Sequence, residues 1–227
     1  MNKRLLIASL ALVFSGFSTT LFARADAEAG KSHAAACASC HGPEGNSIVG
    51  SFPKLAQQHS SYLIQQLNAF KSGARKNPIM SGIAMSLDEQ AIKDIAAYYA
   101  GQKIAANPEP TLPNNDDDDE EAAAPEQAVK PKTMLELLAQ GADLYRNGDL
   151  AREVSACVAC HGPSGDGNLP AAFPLIKSQQ PDYLIKTLND FKSGARTSNP
   201  ENIMRMIAKK MTEEEIKAVS YRISTMK

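Results

Sequence analysis

Two short stretches, Cys37-Ala38-Ser39-Cys40-His41 and Cys157-Val158-Ala159-Cys160-His161, hold the residues best suited to chemistry. Each sets two thiols three positions apart and follows them with an imidazole. On a helical turn, side chains three and four apart share one face. Two such thiols can each take up one vinyl group of a porphyrin lying across the turn. The histidine is then aimed at the iron from the same side. Cys-x-x-Cys-His is accordingly the attachment sequence of a c-type haem, and the chain is expected to carry two, one per copy.

Two other chemistries compete for these residues. Half of a zinc site would need a second ligand pair close by, yet Gly42–Gln102 and Gly162–Lys227 hold no further cysteine. A dithiol oxidoreductase of the thioredoxin kind would set one such motif on a βαβ pattern, which is absent. All four cysteines belong to the two motifs.

The ligand opposite each histidine decides what the iron does. After His161 the chain has no other histidine, so its second half has no bis-histidine pair of its own. A thioether is the remaining axial ligand, and a Met/His pair raises the reduction potential in cytochromes c. Candidates are Met80 and Met85 in the first half and Met204, Met206 and Met211 in the second. Met80-Ser81-Gly82-Ile83-Ala84 aligns with Met204-Arg205-Met206-Ile207-Ala208, each shortly after Asn-Pro, whereas Met85 falls opposite Lys209. Met80 and Met204 are therefore the expected ligands. Met206 and Met211 read as adaptable core filler, and His33 and His59 as surface residues, since neither recurs in the second half. A backbone carbonyl at Pro53 or Pro174 is suited to accept the second N–H of the ligating histidine; the alternative is a rigid turn only. Arg75 and Arg196 suit haem propionates or, equally, stand as solvated charges at a helix end.

These residues recur because the chain is duplicated. Phe52-Pro53-Lys54-Leu55 answers Phe173-Pro174-Leu175-Ile176, Tyr62-Leu63-Ile64 answers Tyr183-Leu184-Ile185, and Phe70-Lys71-Ser72-Gly73-Ala74-Arg75 is identical to Phe191-Lys192-Ser193-Gly194-Ala195-Arg196. Ile95-Ala96-Ala97-Tyr98 is set against Ala218-Val219-Ser220-Tyr221. Each half reads as all-α. A first helix is expected over 26–36 or 134–146. A middle helix follows Ser60 or Pro181, with apolar stripes Leu63, Leu67, Phe70 and Leu184, Leu188, Phe191 and a left-handed stop at Gly73 or Gly194. Ser86-x-x-Glu89 and Thr212-x-x-Glu215 fit capping boxes opening the last helix. The fold expected is a tandem pair of small helical domains, 26–102 and 133–227, each built around one covalent haem. Lobes this small have little core of their own, so haem-free chain should fold poorly.

Between them, 103–132 contains five prolines and the run Asp116–Glu121, a composition that reads as a solvated linker. Residues 1–25 read as a signal peptide: Lys3 and Arg4, an apolar run from Leu5 to about Phe22, and Ala23-Arg24-Ala25 with cleavage after Ala25. An uncleaved anchor is the alternative. Export fits the periplasm, where haem attachment to exported cysteines takes place. The whole chain has 24 Lys and Arg against 25 Asp and Glu, with no basic stripe of the kind nucleic acid requires.

The repeated lobe, Cys-His-Gly-Pro-x-Gly, the Phe-Pro-x-Leu/Ile segment and the downstream Met together resemble the cytochrome c4 family, over nearly all of 27–102 and 139–225. The resemblance implies two class I cytochrome c domains, His41/Met80 and His161/Met204 ligation, and proline-carbonyl partners at Pro53 and Pro174. It also implies a periplasmic, non-enzymatic electron carrier between a bc1-type donor and a terminal oxidase or other acceptor, with peripheral membrane association left open. An electron-accepting subunit of a sulfur-compound dehydrogenase and a dihaem peroxidase are the alternatives. The family joins its lobes by a shorter segment, which sets the long 103–132 stretch against close docking.

Overall fold

The computed structural model describes residues 24–112 and 132–227; residues 1–23, with most of the expected signal peptide, and 113–131, with the acidic run, lie outside the described residues. Among the described residues there are ten α-helices, two short 3₁₀ turns and two isolated bridges, with no strand. No described helix is long and apolar enough to cross a membrane. The all-α duplicated architecture is as expected.

Lobe one comprises α1 (Ala27–His33), α2 (Ala38–His41), α3 (Ser60–Lys71), α4 (Pro78–Met85) and α5 (Glu89–Ala100); lobe two repeats them as α6 (Met134–Asn147), α7 (Val158–His161), α8 (Pro181–Ser193), α9 (Ile203–Ala208) and α10 (Glu213–Ser224). The first and last helices of each lobe cross closely, α1 on α5 and α6 on α10. The middle helix packs on the last one through the expected stripe, with Leu63 and Phe70, and Leu184, Leu188 and Phe191, all buried. Lobe one closes on Leu63, Ile95, Ala96, Tyr98 and Tyr99. Lobe two has a larger core, including Leu144, Tyr145, Val154, Met211, Ile216, Val219 and Ile223.

Four local expectations are corrected. The helix expected over 26–36 ends at His33 and tightens into a 3₁₀ turn over Ala34–Ala36, which delivers Cys37 to the next turn. Ser86 does not open α5: it caps the C-terminus of α4, and Asp88 is the N-cap, its carboxylate accepting from Ala91 N–H at 2.7 Å. Asp competes with Ser and Thr for this position, which hid the true start. In lobe two the Thr212 capping box is present, with Glu215 N–H donating to Thr212 Oγ1 at 3.1 Å and Thr212 N–H to Glu215 Oε2 at 2.8 Å. With Asp88 matched to Thr212, the last helices align one residue away from the tyrosine match, so Tyr98 answers Arg222. Alanine side chains at Gly30 and Gly141 would meet those same two residues.

The fourth correction concerns the linker. Residues 103–112 are not a free tether but run along both lobes. Asn46 binds Lys103 and Ala105, and Lys54 Nζ donates to Ala105 O at 2.7 Å and Asn107 Oδ1 at 2.6 Å. Asn107 Nδ2 then donates to Ser178 O at 2.9 Å and Gln179 O at 3.0 Å in lobe two. Despite the long connection the lobes dock directly on one another.

Candidate haem sites and the contact between lobes

His41 and His161 end the single turns α2 and α7 and are both buried. His41 Nδ1 lies 2.8 Å from Pro53 O, and His161 Nδ1 lies 3.0 Å from Pro174 O. A carbonyl only accepts, so each Nδ1 carries the proton and each Nε2 keeps its lone pair. Burial pushes both imidazoles down from their ordinary range, opposed by the proline carbonyl. The ring is thus neutral, as a metal ligand must be. The proline carbonyl is positioned by the loop after the motif: Gly45 O accepts from Leu55 N–H at 2.7 Å and Gly165 O from Ile176 N–H at 2.8 Å. Gly45 has φ +80°, and a Cβ there would sit 2.7 Å from Ala56 N. A glycine is therefore required.

The four cysteines line the same cavity as the two histidines, with Cys37 and Cys157 packing on the two cores. Burial pushes Cys37 up, and Cys157 up to about 11. Tyr98 OH donates to Pro43 O at 3.1 Å, and Tyr145 OH donates to Gly162 O at 2.6 Å. The same loop is held by the last helix in lobe one and the first helix in lobe two.

A cavity of about 930 Å³ runs from one lobe into the other, lined by all four cysteines, His41, His161, Pro53, Pro174, Met80, Met204 and Met211. Met80 and Met204 are placed alike: Asn77 Oδ1 accepts from Met80 N–H at 2.9 Å, and Asn199 Oδ1 accepts from Met204 N–H at 3.0 Å. The second loop has two extra residues, absorbed by left-handed Glu201 and Asn202. Met85 is 67% exposed and lies off the cavity, as does Met206 at 49%; Met206 is therefore surface and not core filler. Met211 is buried in the core of lobe two.

His33 is exposed, but His59 is not a plain surface residue: its Nε2 lies 2.7 Å from Asp166 O across the lobe contact. Its counterpart Gln180 reaches back, Nε2 donating to Ser47 O at 2.6 Å. Nor are the arginines solvated at helix ends. Arg75 and Arg196 each stack 4.5 Å over Phe70 and Phe191. Arg75 Nη2 then donates to Tyr183 OH at 3.1 Å, and Arg196 Nη2 to Tyr62 OH at 3.0 Å, each in the other lobe. Gln66 Oε1 accepts from both, at 2.9 and 2.7 Å. Burial pushes the Tyr183 hydroxyl up, yet the Arg75 and Arg196 guanidinium groups outweigh it and bring it below its ordinary range.

The cavity fits a flat apolar group with an anionic edge. Its walls include Leu63, Leu67, Phe70, Leu184, Leu188 and Phe191. At one rim three buried polar atoms lack a protein partner: Arg196 Nε, Ser198 Oγ and Asn199 Nδ2. Unsatisfied buried donors are rare, and a carboxylate is what these three would satisfy. Sequence reasoning missed the roles of Tyr62, Tyr183, Gln58, Gln66 and Gln179. The signal for some was available, since Tyr62/Tyr183 and Gln58/Gln179 are identical between the repeats.

Comparison with known proteins agrees with this arrangement. The family model for cytochrome c matches residues 27–103 and 138–227. Cytochrome c4 of Azotobacter vinelandii is 39% identical over 97% of each chain. The crystal structure of reduced recombinant cytochrome c4 from Pseudomonas stutzeri superimposes with a TM-score of 0.77 at 35% identity, covering 89% of this chain and 100% of that one. A thiosulfate dehydrogenase electron acceptor from Stutzerimonas stutzeri strain A1501 is 35% identical over 82% of this chain and 77% of its own. The chain belongs to the cytochrome c4 family: it is a dihaem c-type cytochrome, an electron-transfer protein and not an enzyme, with one covalent haem c in each lobe.

Proposed function

We propose that this protein is a periplasmic carrier that moves single electrons from a bc1-type donor to a terminal oxidase or other acceptor by outer-sphere transfer. The observation that carries the reading is the repeated pair of histidines, each with Nδ1 on a proline carbonyl and Nε2 free, in one cavity with an Asn-capped methionine. In this reading Cys37, Cys40, Cys157 and Cys160 form the thioether links, His41 and Met80 hold one iron, and His161 and Met204 hold the other. Haem c supplies one-electron exchange between ferrous and ferric iron. The chain's own residues keep the surroundings apolar, fix the imidazoles through Pro53 and Pro174, and offer Arg196, Ser198 and Asn199 to a propionate. With His41 and Met80 holding one haem and His161 and Met204 the other, neither would be left open to a substrate, and the chemistry supplied would be electron exchange alone.

Domain limits of 26–102 and 133–227, with export directed by residues 1–25, complete the proposal. Rapid stoichiometric reduction by a bc1-type complex and reoxidation by a terminal oxidase would support it. Failure to exchange electrons with either, while an isolated periplasmic dehydrogenase reduces the protein, would redirect it. That second reading, an electron acceptor of a sulfur-compound dehydrogenase, draws support from the likeness to the thiosulfate dehydrogenase electron acceptor.

A further inference from the structure

The contact between the lobes contains a reciprocal pair of glutamine clamps. Gln58 of lobe one binds both main-chain groups of Leu175: its Oε1 accepts from Leu175 N–H at 2.9 Å and its Nε2 donates to Leu175 O at 2.8 Å. Gln179 of lobe two does the same to Lys54, accepting from Lys54 N–H at 2.7 Å and donating to Lys54 O at 3.0 Å. Both amides are 4% exposed. Their orientation is fixed, because a flipped amide would set N–H against N–H.

Lys54 and Leu175 follow Pro53 and Pro174 in the chain. The Lys54 N–H and the Pro53 carbonyl therefore belong to one peptide unit, and so do the Leu175 N–H and the Pro174 carbonyl. Two continuous hydrogen-bonded chains result. One runs from His41 Nδ1–H to the Pro53–Lys54 peptide and on to Gln179 Oε1. The other runs from His161 Nδ1–H to the Pro174–Leu175 peptide and on to Gln58 Oε1. Each begins on a histidine of one lobe and ends on a glutamine of the other.

Chained hydrogen bonds polarise one another in a low-dielectric interior. A peptide whose N–H donates to glutamine has a more negative carbonyl oxygen and draws harder on the imidazole N–H. A stronger acceptor at Nδ1 raises the basicity of the ring as a ligand, which favours ferric over ferrous iron. We propose that Gln179 and Gln58 are positioning residues for electron transfer, each lowering the reduction potential of the haem in the opposite lobe. This rests on the reading of His41 and His161 as ligands. Docking is thereby part of how each potential is set.

The test uses the holoprotein with Gln179→Met and Gln58→Met, which keep the side chain's length and remove its polar atoms. Potentials are assigned to each haem through hyperfine-shifted methyl resonances during redox titration, and the His Nδ1 shifts are followed in the ferrous form. Q179M should displace the redox equilibrium of the lobe-one haem about threefold toward reduction, about 28 mV at 59 mV per tenfold, with His41 Nδ1 moving and lobe two unaltered. Q58M should do the same to the lobe-two haem and His161. Loosened docking by itself would alter both haems alike in both variants, and that outcome overturns the proposal, as does a shift in the variant's own lobe or none. Loss of the sulfur-to-iron charge-transfer band in the parent protein would instead strike at the ligand assignment. Retention of that band without the crossed shifts strikes only at the glutamines.

Discussion

Replacing Gly141 or Gly30 with alanine tests the helix crossing on which each lobe is framed. A Cβ at Gly141 would lie 2.1 Å from Ala218 O and 2.9 Å from Arg222 Cβ; one at Gly30 would lie 2.0 Å from Asp94 O and 3.0 Å from Tyr98 Cβ. Ordinary carbon–oxygen contacts start at about 3.3 Å, so the helices must part by about 1 Å. The atom met is backbone and cannot rotate away. Overpacking of this kind costs about 1–3 kcal/mol, and the upper end applies here. Alanine in place of glycine returns about 1 kcal/mol of helix propensity, leaving a loss of about 2 kcal/mol. At about 4–8 °C per kcal/mol for a domain of this size, the affected lobe should melt about 8–16 °C lower. Thermal unfolding of the holoprotein, followed by far-ultraviolet dichroism and Soret absorbance, reads this out. An unchanged or raised midpoint would show that propensity alone operates and that the helices are not in such close contact.

Other consequences follow from local contacts. Asn77→Ala or Asn199→Ala removes the acceptor beneath Met80 or Met204 at a cost of about 1 kcal/mol, so exogenous imidazole should displace that methionine at about fivefold lower concentration; equal affinity would contradict the role of the cap. Arg152 holds Glu215 below the ordinary carboxylate range against the opposing effect of burial, so the pair stabilises lobe two above about pH 4.5 and loses that contribution as pH falls through the lowered value. Glu215→Gln should therefore melt earlier than the parent at pH 7, with the gap narrowing in acid; a gap that widens in acid would refute the sign. Haem-free chain should lose its near-ultraviolet dichroism, because the cavity wall has nothing to pack against, and a native-like spectrum would contradict this.

Much of the architecture was legible because it is encoded locally. The Cys-x-x-Cys-His turns, the 3.6-residue stripes of α3 and α8 and the repeated Phe-Lys-Ser-Gly-Ala-Arg segment need only neighbouring residues to be read. Met80 and Met204 could be selected because their Asn-Pro approach recurs, and the same asparagines cap their backbone. The register of α5 was misread because Ser86 and Asp88 are both competent caps, and only packing on α1 decides between them. The docking left only a faint trace, the repeat identities Tyr62/Tyr183 and Gln58/Gln179, which mark the residues but not their partners. Its hydrogen bonds join residues more than a hundred positions apart, such as Gln58 with Leu175 and Arg196 with Tyr62, and polar pairing leaves no periodic trace. Asn107 likewise belongs by composition to a solvated stretch, yet its amide finds acceptors in lobe two.

The central claim is that each iron is closed on one side by His41 or His161 and on the other by Met80 or Met204. Exposure of the fully reduced holoprotein to carbon monoxide, with the ferric charge-transfer band recorded per haem, tests it most directly. The account predicts two low-spin haems, both showing the sulfur-to-iron band, with negligible carbon monoxide uptake, and loss of the band from one lobe only in Met80→Ala or Met204→Ala. Ready uptake at either haem of the parent, or a band that survives both substitutions, would contradict it.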